Sequence, residues 1–308
     1  MQILPNKPPI SNSSSANHEI AEHTFASAIS VPRHNGTQEQ ALTVAAQLCR
    51  EDWLVPIGAW ASLFLEGNRE AAAELAALLR KTYAEMASEP AIERMLNGRT
   101  LAHALRPKPS DNGHYYLSHV PDSPVVVFLH GYGGNFLFYL WTLQRLLPAC
   151  TLVHPSCGID WLKRSATENT QFIADLLEDL QRRTGTNLGN VWLAGVSDGG
   201  SAAFDIAAQC PERFRGLVSI ASSPDIKPNQ SLGLPRGYPV LMINGMKDDR
   251  FPIETCFTNA SLLLQAGVDL RFAIIEKGSH FFLLLSPEKM ESALRSFVGV
   301  ATQALKRP

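Results

Sequence analysis

At 308 residues the chain has room for one large domain or one domain with an extension, and a hydrophobic fraction of 45% is enough for a substantial core. The net charge is −2 with both signs interspersed and no basic tract, which speaks against nucleic acid as a partner. No apolar run approaches membrane-spanning length, and Met1 to Ser30 lacks a basic start followed by a hydrophobic stretch, so neither a transmembrane segment nor a secretory signal is expected. Five scattered cysteines, Cys49, Cys150, Cys157, Cys210 and Cys256, fit reduced thiols in a cytoplasmic setting better than a disulfide framework. No cysteine–histidine spacing suggests a metal site, and no cofactor motif is present.

Residues 1–35 are rich in Ser, Asn and Pro with little apolar periodicity, and read as a disordered tail. A helical extension follows over 36–108. Ala41, Val44, Ala45 and Leu48 recur at helix spacing, and the alanine- and leucine-rich run 71–79 has high helix propensity. Trp53, Leu54, Trp60, Leu63, Phe64 and Leu65 give it more apolar surface than a solvated helix carries. The extension is therefore expected to pack on the core or on a second subunit, which makes it the place where an oligomer would form. The Pro-rich stretch 107–113 reads as a linker.

From residue 109 onward, strand and helix patterns alternate. Strands are expected at Tyr115–Val120, Val125–His130, Thr151–Pro155, Val191–Val196, Gly216–Ala221, Pro239–Asn244 and Leu270–Ile275. Helices are expected at 137–148, 165–184, 199–210, 254–266 and 287–305. Apolar, β-branched strands between amphipathic helices imply an α/β fold with a mostly parallel sheet covered on both faces. The turn Pro121–Pro124 suggests that the first of these strands enters antiparallel.

Four strand ends carry the residues of interest. The strand 191–196 runs into Gly195-Val196-Ser197-Asp198-Gly199, with Ser197 on the turn before a helix. A tight strand-to-helix turn tolerates only small neighbours, and Gly195 and Gly199 supply them. The strand 239–244 opens into Gly245-Met246-Lys247-Asp248-Asp249, and Gly278-Ser279-His280 follows the last strand. A serine hydroxyl needs a base to take its proton and a carboxylate to orient that base. Ser197, His280 and Asp248 are the candidates. Asp249 is the alternative acid, read here as a capping or solvated carboxylate. The strand 125–130 leads into Gly131-Tyr132-Gly133-Gly134-Asn135. Such a loop can aim backbone N–H groups at a developing oxyanion, from Tyr132 or next from Gly133, with the amide of Asp198 as the second donor. His130 reads as structural, and His154 as a residue with only a weak case for substrate contact. Phe136 and Phe281 lie near the same face and could line an acyl pocket.

The His130-Gly131-Tyr132-Gly133-Gly134 loop, the Gly195–Gly200 elbow and the Ser–Asp–His order resemble the α/β-hydrolase superfamily over roughly residues 115–308. The likeness is to compact esterases of the phospholipase/carboxylesterase and dienelactone-hydrolase-like groups. Dienelactone hydrolases use a cysteine where this chain has Ser197. The resemblance also favours Asp248 over Asp249, because the family pattern places the acid three residues after Gly and four before Pro, here Gly245 and Pro252. It implies an α/β-hydrolase catalytic domain over 109–308, without a large cap between Ser222 and Tyr238. It further implies a serine hydrolase acting on a small-molecule ester or thioester, with no cofactor. A serine peptidase of prolyl-oligopeptidase-like type and a non-catalytic binding protein of the same fold remain as alternatives.

Overall fold

The computed structural model describes residues 2–3, 20–29, scattered positions from 73 to 88, and 112–132, 137–156, 160–226 and 232–304. Among the described residues nine strands form one sheet: β1 (Gln2–Ile3), β2 (Ile20–Ala26), β3 (Asn112–Ser118), β4 (Val125–Leu129), β5 (Thr151–Ser156), β6 (Val191–Val196), β7 (Gly216–Ile220), β8 (Pro239–Gly245) and β9 (Asp269–Ile275). Their spatial order is β1-β9-β8-β7-β6-β4-β5-β3-β2. β3 lies antiparallel to β2 and β5, and the remaining pairs are parallel. Among the described residues from 112 onward, the α-helices are α1 (Leu137–Leu146), α2 (Ala166–Thr184), α3 (Asp198–Gln209), α4 (Ile253–Gln265), the single turn α5 (Phe282–Leu285) and α6 (Glu288–Ala304). No helix among the described residues is long and apolar enough to cross a membrane.

Alternation along the strands builds two cores. Val126 and Phe128 of β4, with Trp192, Ala194 and Val196 of β6, pack on α1 and α6. Val125, Val127 and Leu129, with Val191 and Leu193, face α2, α3 and α4 on the other side. A sheet buried on both faces needs strands that are apolar throughout, and β4 and β6 are fully buried. The helix boundaries follow local chemistry. Ser165 and Glu168 form a capping box at the start of α2, and Gly185, at φ 69°, ends it in the left-handed conformation.

One feature differs from the sequence expectation. Residues 1–35 contain sheet structure: β2 pairs with β3 over its whole length, and β1 pairs with β9. The sheet therefore draws on residues before 109. β2 was hidden because an edge strand buries little: only Ile20 and Phe25 of its seven residues are buried. Tertiary contacts hold it instead. Ser27 Oγ and the amide of Ala28 both donate to Asp175 Oδ2 on α2, at 2.8 and 2.9 Å.

Within the expected helical extension, Ala73, 77–78, 80–82 and 84–86 are helical. Met86 is fully buried in the α1/α6 core, Leu78 packs against that core, and Glu85 lies 3.6 Å from Arg145 of α1. Trp53 to Leu65 fall outside the described residues.

Candidate active site

β6 ends at Val196 and α3 begins at Asp198, so Ser197 must reverse the chain alone. It does so at φ 54°, ψ −127°, a conformation that strains an L-residue. The turn is tight enough that a Cβ on Gly195 would run into the backbone of Gly199, and one on Gly199 into the carbonyls of Leu129 and His130. The two glycines of the motif are thus required by packing as well as by pattern. The strain aims Ser197 Oγ at His280, with Oγ···Nε2 at 3.0 Å.

The other face of the imidazole meets Asp248: Nδ1 lies 2.9 Å from Oδ2 and 3.1 Å from Oδ1. Asp248 is buried, and its Oδ1 accepts the backbone amides of Arg250 and Phe251 at 3.0 and 2.9 Å. These two donors fix the orientation of the carboxylate beside the imidazole. Asp249 is exposed, and it is Asp248, not its neighbour, whose carboxylate meets the histidine. The loops carrying acid and histidine are tied together. Met246 donates to the carbonyl of Ile275 and Lys247 to that of Gly278, at 3.0 and 2.8 Å, and a Cβ on Gly245 would strike Gly278.

Phe251 was not singled out in the sequence, yet its ring stacks on His280 at 5.8 Å and 11° between planes. The signal available was its place in the turn between the acid and Pro252. Phe281 meets the same imidazole edge-on at 5.5 Å. Phe136 and Gly133 lie outside the described residues. Tyr132 is described and half-exposed, and a Cβ on Gly131 beside it would stand 3.2 Å from Ser197 Cβ. Gly131, just after β4, therefore lies directly against the serine. Asp198 heads α3, where the first amides of a helix have no intrahelical acceptor. Burial, and then the nearby Asp160, push the Asp198 carboxyl above the usual carboxylate range.

His130 is buried at the end of β4, its Nδ1 2.7 Å from the carbonyl of Gly131. Burial lowers it from the ordinary 6.5 to about 4, so it is a neutral structural group near pH 7. His154 Nδ1 lies 2.8 Å from the carbonyl of Phe128, inside an aromatic cluster with Tyr139. Both histidines thus follow the structural reading.

No family model matches the chain. The chain is 36% identical over 103 residues to the pimeloyl-[acyl-carrier protein] methyl ester esterase of Vibrio campbellii, a stretch that covers 33% of this chain and 38% of that relative. Among solved structures, esterase PE8 matches at 22% identity and a TM-score of 0.48, covering 57% of this chain and 93% of its own. The carboxylesterase CesB from Bacillus subtilis matches at 16% and 0.47, covering 61% and 87%. The acylaminoacyl peptidase of Pyrococcus horikoshii matches at 17% and 0.48, covering 61% and 38%. On its own sheet order, its strained serine between β6 and α3, and its Ser–Asp–His order after β6, β8 and β9, the chain has the α/β-hydrolase fold.

Proposed function

We propose that this protein is a serine hydrolase that cleaves carboxylic esters or thioesters through an acyl-enzyme on Ser197. One observation carries the reading: a strained serine whose hydroxyl, imidazole and carboxylate stand in line at 3.0 and 2.9 Å. The methyl ester esterase of Vibrio campbellii, which shares part of its sequence, supports esters as the substrate class.

In the proposed cycle, His280 Nε2 takes the Ser197 proton as Oγ attacks the carbonyl carbon. Asp248 holds the Nδ1–H tautomer and stabilises the imidazolium. The amides of Tyr132 and Asp198 receive the negative charge on the carbonyl oxygen. Collapse expels the alkoxide or thiolate, which takes the proton from His280. Water then repeats the sequence and releases the acid. Phe251 and Phe281 flank the imidazole and would give the substrate an apolar wall. Labelling with a fluorophosphonate probe and turnover of p-nitrophenyl esters of increasing acyl length test the proposal. Stoichiometric labelling at Ser197, lost in Ser197→Ala together with turnover, is the expected result. A folded protein that neither labels nor turns over any ester of the series would defeat it.

A further inference from the structure

A chain of buried polar groups runs behind the proposed triad and joins its two ends. Ser222, just past β7 and fully buried, donates Oγ to the carbonyl of Ser197 at 2.7 Å. The carbonyl of Ser222 accepts from Asn244 Nδ2 at 2.9 Å. Asn244 is the sole polar side chain in β8 and is fully buried. Its Nδ2 also lies 3.2 Å from Cys256 Sγ, and the thiol of Cys256 donates to the carbonyl of Phe251 at 3.5 Å. The amide of Phe251 donates to Asp248 Oδ1 at 2.9 Å. The hydrogen-bonded path therefore leads from the backbone of the serine to the carboxylate of the acid. Side branches stiffen it. Ser201 Oγ lies 3.0 Å from Ser222 Oγ and donates to the carbonyl of Ser223 at 2.9 Å, and Asn259 Nδ2 reaches Ser223 Oγ at 2.9 Å.

Stability alone does not account for this arrangement. Among the described residues Asn244 Oδ1 has no hydrogen-bond partner, and an unpaired buried amide oxygen costs more than a well-packed apolar residue would. The Cys256 thiol, pushed up to about 12 by burial and then by Asp248, stays neutral and keeps its proton as a donor. The Ser197 carbonyl accepts three donors at once: Gly200 N at 2.9 Å, Ser201 N at 3.1 Å and Ser222 Oγ. A residue at φ 54°, ψ −127° persists only where its surroundings over-determine it.

We infer that Ser222 and Asn244 are positioning residues, a brace that holds the serine turn and the acid loop at one fixed separation for acyl transfer. Neither contacts the substrate. The inference rests on the serine-hydrolase reading for its kinetic consequence, but the brace also has a signature independent of catalysis.

The test compares Ser222→Ala, Asn244→Leu and the double variant in the full chain, with melting curves to confirm folding. Each single change should lower kcat by about 10²-fold, since a misplacement near 1 Å is enough for that, and leave KM within about two-fold. The double variant should be no slower than the slower single, because either change opens the same path. Ser222→Cys, which keeps a donor in place, should recover much of the loss and carries the test if Asn244→Leu fails to fold. Losses that multiply, or that appear in KM alone, overturn the brace. Hydrogen exchange at the amides of Arg250 and Phe251 reads the same link without catalysis. Faster exchange in Ser222→Ala supports the brace, and unchanged exchange overturns it. If the wild-type protein neither labels nor turns over esters, the hydrolase reading falls, and the exchange result alone still decides whether the brace exists.

Discussion

At Ser197 the hydroxyl sits 3.0 Å from His280 while the backbone is held in a region that costs roughly 1–3 kcal/mol. Ala can adopt the same backbone, so Ser197→Ala should melt near wild type and lose about 10³-fold or more in ester turnover. The two adjacent aspartates offer a sharper comparison. Asp248→Asn retains the shape of the site but holds His280 in the wrong tautomer, and should cost about 10⁴-fold in kcat. Asp249→Asn, on an exposed side chain, should stay within about ten-fold of wild type. Equal losses from the two would refute the assignment. The sequence marked out Asp248 by its resemblance to a family spacing from Gly245 and to Pro252. The physical basis of that spacing is visible in the structure: Gly245 packs against Gly278 of the histidine loop, and Pro252 is the cap from which α4 starts.

His130 gives a pH prediction at the same scale. Its folded value of about 4 lies below its ordinary 6.5, so below pH 6.5 the unfolded chain binds the extra proton. The contribution to stability is complete above about pH 6.5 and is lost as pH falls towards 4, by up to about 3 kcal/mol. Denaturant titrations at pH 7 and pH 4.5 should show a smaller fall in ΔG for His130→Gln than for wild type. An identical fall in both would show that the buried imidazole is not the source.

The turn between β6 and α3 is the element on which the geometry depends. Gly195→Ala places a methyl group against the backbone of Gly199, which cannot retreat without moving α3 off the sheet. The expected loss is about 1–3 kcal/mol of stability, with turnover falling further than stability because the serine moves with the helix. Normal turnover in a destabilised Gly195→Ala would separate the strain from the chemistry. Legibility followed the same physics at element scale. β4 and β6 were readable because strands buried on both faces are apolar at every position. β2 was not, because an edge strand of mixed composition depends on β3 and on Asp175 for its conformation. α5 is one turn long and leaves no periodicity to detect. Ser222 and Asn244 were also missed, although a single Asn inside the run Pro239–Gly245 is a polar residue where the pattern asks for an apolar one.

At the scale of the whole molecule, the segment before the main α/β region is joined to it. Met86 is fully buried among α1 and α6 side chains, so Met86→Ala should cost about 2–5 kcal/mol, measurable as a lower Tm. Removal of residues 1–108 would take away β2 as well as Met86, leaving the edge of β3 unpaired and an apolar face open. Such a truncated chain should aggregate. A soluble truncated chain of unchanged stability would show that these contacts contribute nothing.

β1 and β2 close opposite ends of the sheet, although both come from the first 26 residues. During synthesis the partner of β2 follows within about a hundred residues, whereas Gln2 pairs with Ala273 of β9. At about 5–20 residues per second, β1 waits roughly 14–54 s for its partner to be made. The pairing of β1 with β9 therefore waits longer for its partner than the pairing of β2 with β3. A nascent chain halted before Asp269 should hold β2 in place while Gln2 and Ile3 remain open to an added protease or chaperone.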